Sequence, residues 1–597
     1  MIITLYRYIK RKWTGESRGE NESQDKTSSA EWKFRLKLAI ALAVPIFLET
    51  LDYTVVATAQ TEIASVFNRL DLQSYIGTLY LLTSTIFLPL FASVADIYGR
   101  HFAMQASMVF FIFGSALSTG AHNMETMLAG RAIAGIGAAG LLTVVRVIIS
   151  DSGSLDDNNW QVSILFLLYA IGYSVGPVIG GYLSAVSFRW IFAINLPACV
   201  LSMILVFFLL RKHLKKGFVA EDGLPSTEKP RSAGFMFRIT KIDWIGTFLF
   251  VAAGILILLA LNWGPNEVWN SAKVIVCFVV GGLLLIVCIA WEYVLEKEQS
   301  KPISSSSRIL SAYPTIPLEL FRDIDIDTVM AASFVGGMVM IVMFYFVAIF
   351  MTVAAGLDAR KAGVQLVYFA PGSGAGTLLA IQMTNRFRQP KYAIQLGSLI
   401  IPISLGLISM GIQENRQSLV NGFLAMSGVG CGLTIGSLNV HARFSQPPER
   451  VAIVSALILF FRSLGGTVGL AQCGAILNAK VKAHIEDAIA SGIIPMSAAS
   501  DLSSRTANAL GSLESISALP EAAQVVVREA YRDSVRWCFI SLVPWAGVAF
   551  ILTKFYLTDI ADPDKKEDID QVEKTASQIE LNRVGSRSTE QNSSVHR

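Results

Sequence analysis

The sequence predicts an all-α polytopic membrane protein with fourteen transmembrane helices. Three observations carry that expectation. Hydrophobic residues make up 53% of the chain and charged residues only 16%, against about 25% charged in soluble proteins. The apolar residues are bunched into many windows of roughly twenty positions with one charge or none, the length that crosses a ~30 Å hydrocarbon core. A membrane-length window slid along the chain finds fourteen such runs,.

Taken in order, six runs lie near 37–60, 75–96, 103–121, 126–149, 162–184 and 190–211. Two lie near 242–262 and 272–294. Six more lie near 329–353, 362–383, 392–412, 418–440, 451–477 and 535–556. Six, two and six suggest two six-helix halves joined by an extra pair, and transporters are often built from such repeats with the substrate cavity between halves. The divisions are a tail at 1–36, a bundle at 37–211, loops plus the extra pair at 212–328, a second bundle at 329–556 and a tail at 557–597. The second bundle contains an external loop, 478–534. Its Ala-rich, amphipathic "ALPEAAQVVVREAYRDSVRW" is expected to form a helix against the membrane surface, and the charged last tail to be disordered.

Orientation follows from Lys and Arg in the loops. The N-terminal tail, the 211–241 loop, the 384–391 turn (Arg386, Arg388, Lys391) and the C-terminal tail are basic, which places both termini in the cytosol. The 150–161 turn dissents, with Asp151, Asp156 and Asp157 and no basic residue, but acidic residues weigh little in this rule. The first 36 residues show no apolar core with a cleavage site, so the first span is expected to direct insertion itself. The six cysteines fall within apolar runs and read as packing residues,. Loop basicity accounts for the formal net charge of +4, which argues against nucleic acid as a partner. No metal-ligand cluster, Walker sequence or nucleophile–base arrangement is visible, so neither an enzyme nor a cofactor is expected.

Several motifs carry more information. "GIGAAG", Gly135–Gly140, matches a dinucleotide-binding pattern but lies in a membrane span, where small residues allow close helix packing instead. "GYSVGPVIGG" in the fifth run sets Gly172, Gly176 and Gly180 on one helix face, adds Gly181, and places Pro177 where it should kink the helix. "ASVADIYGRH" at the end of the second run combines Asp96, Gly99 and Arg100, an acidic helix end and a guanidinium able to form a charge-assisted latch. This last stretch resembles the loop between spans two and three of the major facilitator superfamily, with Ala92 in place of the usual glycine and His101 in place of the final basic residue. "LDYTVVATA" (Leu51–Ala59), "RWIFAINLPA" (Arg189–Ala198) and "FFRSLGGTVG" (Phe460–Gly469) are similar to signatures of its fourteen-spanner drug:proton antiporter branch, with Ala57 and Thr61 as departures. The resemblance covers roughly residues 40–560. It implies the facilitator fold, two six-helix bundles plus two linking helices, and it implies that the Gly172–Gly181 stretch is an antiporter motif shaping the contact between the halves.

Intramembrane ionisable residues are costly, ~2.5–3.5 kcal/mol each on insertion scales, and therefore functional candidates. The first span holds Glu49 and Asp52, the fourth Arg131 and Arg146, the thirteenth Arg462. At 1.5 Å per residue, Asp52 lies ~22 Å from the cytosolic start of its span and Arg131 ~27 Å from the cytosolic end of its own. An Asp52–Arg131 or Glu49–Arg131 interaction can bridge that gap and serve as a proton-coupling site. Glu49 could instead face the cavity and attract a cationic substrate. Arg146 is expected to snorkel to the interface, Arg462 to meet substrate or only the glycines of its span, and His122 and His441 to be loop or interface residues. Tyr80, Phe87, Tyr169, Phe344 and Tyr345 could line an aromatic cavity.

The resemblance implies a monomeric antiporter in the lipid bilayer that takes up protons and exports an amphipathic small-molecule substrate. The plasma membrane is the expected location, with the vacuole as rival. A proton-coupled importer of a nutrient or iron chelate on the same fold, and a transport-inactive sensor, stay open as alternatives.

Overall fold

The computed structural model describes residues 21–67, 69, 72–151, 165, 168–169, 171–172, 175–176, 179, 183, 186–212, 214, 238–264, 269–299, 310, 312–357, 365, 367–447, 450–491 and 521–560. Among these the only pairing outside helices is one bridge, Ile242 to Tyr313. The helices are α1 (Asn21–Val66), α2 (Gln73–Ile86), α3 (Leu88–Tyr98), α4 (Arg100–Thr119), α5 (Met124–Ser150), α6 (Phe188–Ala193), α7 (Asn195–Leu210), α8 (Trp244–Trp263) and α9 (Ala272–Gln299). After them come α10 (Ile324–Ile349), α11 (Phe369–Phe387), α12 (Lys391–Gln413), α13 (Gln417–Ser445), α14 (Val451–Ala490) and α15 (Glu521–Tyr556). Together they make the all-α polytopic fold that the hydropathy windows predict.

Ten of these helices, and the run Phe188–Leu210 formed by α6 and α7, are long and apolar enough to cross a membrane, and α2–α3 make a twelfth such segment, bent by 44°. The bend at Phe87 is built by Pro89, which lacks an N–H and crowds the carbonyl one turn earlier,. α11 occupies the tenth predicted run, and its Gly- and Thr-rich sequence keeps it below the apolarity of the others. The fifth run is described only at scattered positions between 165 and 183.

Tight helix contacts explain why "GIGAAG" sits in a span. A Cβ on Gly137 would lie 2.7 Å from the Phe111 Cα of α4, and one on Gly140 would collide with Ser107. α5 therefore packs backbone to backbone, as small residues in a membrane permit.

The first bundle surrounds a core that runs from Leu42 and Met108 to Ala138 and Cys199. The second surrounds Met338, Phe346, Leu405 and Phe539. The extra pair α8–α9 packs against the seam: Phe250 and Leu258 join Leu82 and Ile86 of α2, with Phe460 and Leu464 of α14 beside them. Trp263 Nε1 donates to Tyr75 Oη at 2.6 Å and Asn262 Nδ2 to Thr78 Oγ1 at 3.2 Å, fixing α8 to α2. Much of α9 is exposed, including Val276, Val279, Leu283 and Ile286, as a lipid-facing helix should be,.

Ile560 beyond α15 belongs to the same apolar cluster as Leu38 of α1 and Leu210 of α7, and the side of the molecule where the first and last described segments lie is here called the termini face. The opposite face is the distal face. There α14 and α15 overrun their predicted spans. Val481 and Ile485 of α14 bury against Val527 and Tyr531 of α15, so the amphipathic stretch covers its apolar side with a partner helix rather than a membrane surface. Residues 492–520 of the expected loop, and the tail beyond 560, lie outside the described residues. On the termini face α1 likewise starts at Asn21, well before the expected edge of its span.

Candidate functional site

The first and fourth spans meet at a sealed ion pair. Arg131 Nη1 of α5 donates to Asp52 Oδ2 of α1 at 2.7 Å, and the side chains are 1% and 0% exposed. Asn195 Nδ2, at the start of α7, donates to Asp52 Oδ1 at 2.8 Å. Arg131 Nε donates to the Ile76 carbonyl at 3.3 Å, and its guanidinium stands 4.3 Å from the Tyr80 ring centroid and 5.4 Å from that of Phe192. Breaking such a pair is expensive because one charge would be left buried without its counter-ion. The depth count from sequence anticipated Asp52 and Arg131. It did not reach Asn195, whose only signal was an amide opening an apolar run.

A cavity lies between the bundles, lined by Glu49, Tyr53, Tyr80, Arg146 and Tyr169 from the first and by Phe344, Phe369, Ser373 and Arg462 from the second. Asp52 is not among its lining residues. Three residues turn an α-helix by ~300°, which sets the two side chains ~60° apart around the axis; Glu49 lines the cavity while Asp52 meets Arg131 of α5 and Asn195 of α7. Glu49 is 8% exposed, and its Oε2 accepts no hydrogen bond among the described residues. Arg462 and Arg146 are the leading positive charges acting on it.

Arg146 departs from its expected place. Rather than snorkelling to the interface it is 4% exposed, lines the cavity and stands 5.8 Å from the Tyr169 ring centroid. A cavity that offers a carboxylate and an aromatic face holds a guanidinium at lower cost than lipid does,. Of the proposed aromatic lining, Tyr80, Tyr169 and Phe344 are present, whereas Phe87 packs beside Leu88 and Phe460. Tyr345 is 43% exposed.

On the termini face Gly99 turns the chain from α3 into α4 with φ of 94°, a conformation in which a side chain is strained,. The turn folds Arg100 back inside. Its Nη1 donates to Asp96 Oδ1 at 2.5 Å and to the Ala95 carbonyl at 2.8 Å, and its Nε donates to Asp151 Oδ2 at 3.1 Å. Asp151 thus gives the dissenting acidic turn a local purpose: it completes the carboxylate pair around one guanidinium. Ala92 is fully buried in a cluster with Leu457 and Ile453 of α14, so the methyl that replaces glycine fills the inter-bundle contact. His101 packs edge-on to Phe207, with ring centroids 5.8 Å apart, and its Nε2 finds no partner among the described residues.

The bundles touch again beside this turn. Ser150 Oγ of α5 lies 3.4 Å from Ser455 Oγ of α14, and Arg443 Nε of α13 donates to the Ser150 carbonyl at 2.5 Å. Leu88, Phe91 and Ala139 close on Leu459 above. In this conformation the termini face is shut.

The glycine stripe meets α1 of its own bundle. A Cβ on Gly172 would fall 2.7 Å from Thr50 Cβ, and one on Gly176 would fall 2.8 Å from Thr54 Cβ. Those threonines flank Glu49 and Asp52, so at these two positions the contact differs from the inter-half one that the resemblance implied. Pro177, Gly180 and Gly181 lie outside the described residues.

His441 also departs from its expected surface role. It is fully buried, its Nε2 lies 2.8 Å from Asp325 Oδ2, and Asp325 Oδ1 accepts from the Thr558 backbone N–H at 2.9 Å. The cluster ties α10, α13 and the end of α15 together. His122 is exposed.

The sequence profile described as Major Facilitator Superfamily matches residues 42–268 and 244–470. The chain belongs to that superfamily. This facilitator is 29% identical over 444 residues to "Efflux pump FUS6" of Gibberella fujikuroi, covering 74% of each chain. It is 28% identical over 544 residues to the "Acurin A biosynthesis cluster MFS-type transporter" of Aspergillus aculeatus, covering 89% of this chain and 91% of that one. Among solved structures the proton:xylose symporter XylE matches with a TM-score of 0.52 at 13% identity, over 88% of this chain and 96% of that chain. That last likeness concerns the fold alone. This facilitator is a multi-pass membrane transporter.

Proposed function

We propose that this facilitator is an antiporter that exports amphipathic small organic molecules, such as toxins, drugs or secondary metabolites, in exchange for protons. The observation that carries the reading is the cavity between the bundles, with buried ionisable groups at its wall and a shut termini face beside it. Rocking of the two halves would expose that cavity to each side in turn. Asp52 and Arg131 form the proton-coupling pair, and Glu49 and Arg462 act at the cavity wall. Protonating Asp52 would dissolve the pair, free α1 against α5, and so couple a proton to the conformational change. Asp96, Gly99 and Arg100, with Asp151, hold the termini face closed, and that face is cytosolic. Gly172 and Gly176 seat the fifth span on α1, and with Pro177, Gly180 and Gly181 they make up the antiporter motif. The printed names of the fungal relatives, an efflux pump and a transporter of a biosynthesis cluster, agree with export. We place the monomer in the plasma membrane.

The test is transport by proteoliposomes with an imposed pH gradient. Gradient-driven movement of amphipathic dyes against the proton flow is expected, and Asp52→Asn should abolish it while exchange of dye for dye continues. Movement in the same direction as protons would establish an importer and refute the proposal. Undiminished gradient-driven transport by Asp52→Asn would remove Asp52 from the coupling.

A further inference from the structure

We infer that the substrate of the central cavity is an organic anion: an apolar, largely aromatic body bearing one carboxylate or comparable acidic group. The inference rests on the transport reading above and names its substrate class. The cavity wall carries two guanidiniums, Arg146 from the first bundle and Arg462 from the second, against the single carboxylate of Glu49. Arg146 is buried, at 4% exposure, and its Nε has no hydrogen-bond partner among the described residues. Glu49 leaves Oε2 unpaired in the same space. A buried donor without an acceptor is costly, and a carboxylate entering between the two arginines supplies acceptors to a planar fork built for them. The rest of the wall suits the remainder of such a molecule, with Phe344 and Phe369 at 5.1 Å between ring centroids and Tyr169 also lining the cavity. Because one arginine comes from each bundle, a bound anion also bridges the halves.

The charge count fixes a sign. An ionised Glu49 competes with the anion for the guanidiniums, so neutralising Glu49 strengthens anion binding. A proton on Glu49 and the anion therefore bind together, which is the wrong sense for exchange. In an exporter the exchanged proton then belongs to the separately sealed Asp52–Arg131 pair, acting through conformation rather than through competition in the cavity.

The experiment is equilibrium binding to the purified full chain in nanodiscs, with three fluorescent probes sharing one apolar body. They are 9-anthracenecarboxylate, its methyl ester and 9-(aminomethyl)anthracene. The acid should bind at least about tenfold more tightly than the ester, the difference of roughly one charge-assisted hydrogen bond. Arg146→Gln and Arg462→Gln should each remove about tenfold from the acid and leave the ester nearly unchanged, which also shows that the variants are folded. Glu49→Gln should tighten the acid. Binding of the acid no stronger than that of the ester, or tightest binding of the amine, overturns the inference. No gradient is involved, so tight acid binding without gradient-driven transport would fail the export reading alone, and transport without acid preference would fail this one alone.

Discussion

Removing the Asp52 carboxylate leaves the Arg131 guanidinium inside a bundle core where its exposure is 1%. The remaining neighbours are the Ile76 carbonyl and the rings of Tyr80 and Phe192. Breaking a buried pair by deleting one partner costs ~3–5 kcal/mol, whereas replacing both partners by neutral groups costs far less. Asp52→Asn and Arg131→Met should therefore each destabilise strongly, by about 3 kcal/mol or more. The double variant should recover at least ~2 kcal/mol of the summed loss. Asn195 makes the asymmetry sharper. Its Nδ2 donates to Asp52 Oδ1 at 2.8 Å, so Asp52→Asn can keep one hydrogen bond while losing the charge. Unfolding of purified protein in mixed micelles by a denaturing detergent, followed by helix content, measures all four corners of the cycle under one condition. If the two single losses add to within ~0.5 kcal/mol in the double variant, the pair is a coincidence of packing and the coupling role assigned to it fails.

Three further outcomes follow from other contacts. Cysteines at both Ser150 and Ser455, whose oxygens are 3.4 Å apart, should cross-link under mild oxidation and stop transport until a reductant is added; full transport in the cross-linked state would show that the termini face does not need to open. Gly176→Leu should insert and fold yet transport poorly, because its side chain would enter the space of Thr54 on α1, and normal uptake at normal surface expression would reduce the stripe to packing. Glu292 of α9 is 2% exposed, with Oε2 unpartnered among the described residues and Asp243 acting on it as a like charge. Glu292→Gln should therefore raise stability by about 1 kcal/mol, and a lowered melting temperature would contradict that account.

The spans were legible because hydropathy averages over a window and a membrane imposes a fixed length. Their ends were not, because the same average discards direction. α14 and α15 continue past the distal face on residues that are polar outside and apolar only where the two helices touch, as at Ile485 and Tyr531. The Asp52–Arg131 pair could be anticipated because helical rise converts residue number into depth. Arg146 was misplaced because depth says nothing of rotation: the same position can point to lipid, to a neighbour or into a cavity. Partners joined across the whole chain were beyond reach for a different reason. His441 meets Asp325 across 116 residues, and Asn195 meets Asp52 across 143, and no local pattern encodes such a meeting. Asp151 lay in plain view, but its meaning required knowing that Arg100 folds inward at Gly99.

The arrangement on α1 links these features. Within six residues, Glu49 to Thr54, one helix presents a carboxylate to the inter-bundle cavity, a second carboxylate to a sealed arginine, and two threonines to the glycines of the fifth span. Thr50 and Thr54 spend their hydroxyls on their own helix, Thr50 Oγ1 donating to the Ile46 carbonyl at 2.6 Å and Thr54 Oγ1 to the Thr50 carbonyl at 2.7 Å. Their surface toward Gly172 and Gly176 is therefore smooth, and among the described residues neither hydroxyl makes a cross-helix hydrogen bond. A contact of that kind resists compression but not sliding. Beyond its apolar packing, the electrostatic hold on α1 comes from the Asp52–Arg131 pair and Asn195, and in the proposed cycle a proton on Asp52 would weaken it. Loosening it would let α1 move along the glycine face, and Glu49 would move with it, since both carboxylates ride on one rigid helix. A proton taken up where no substrate reaches would then change the charge geometry that the substrate meets.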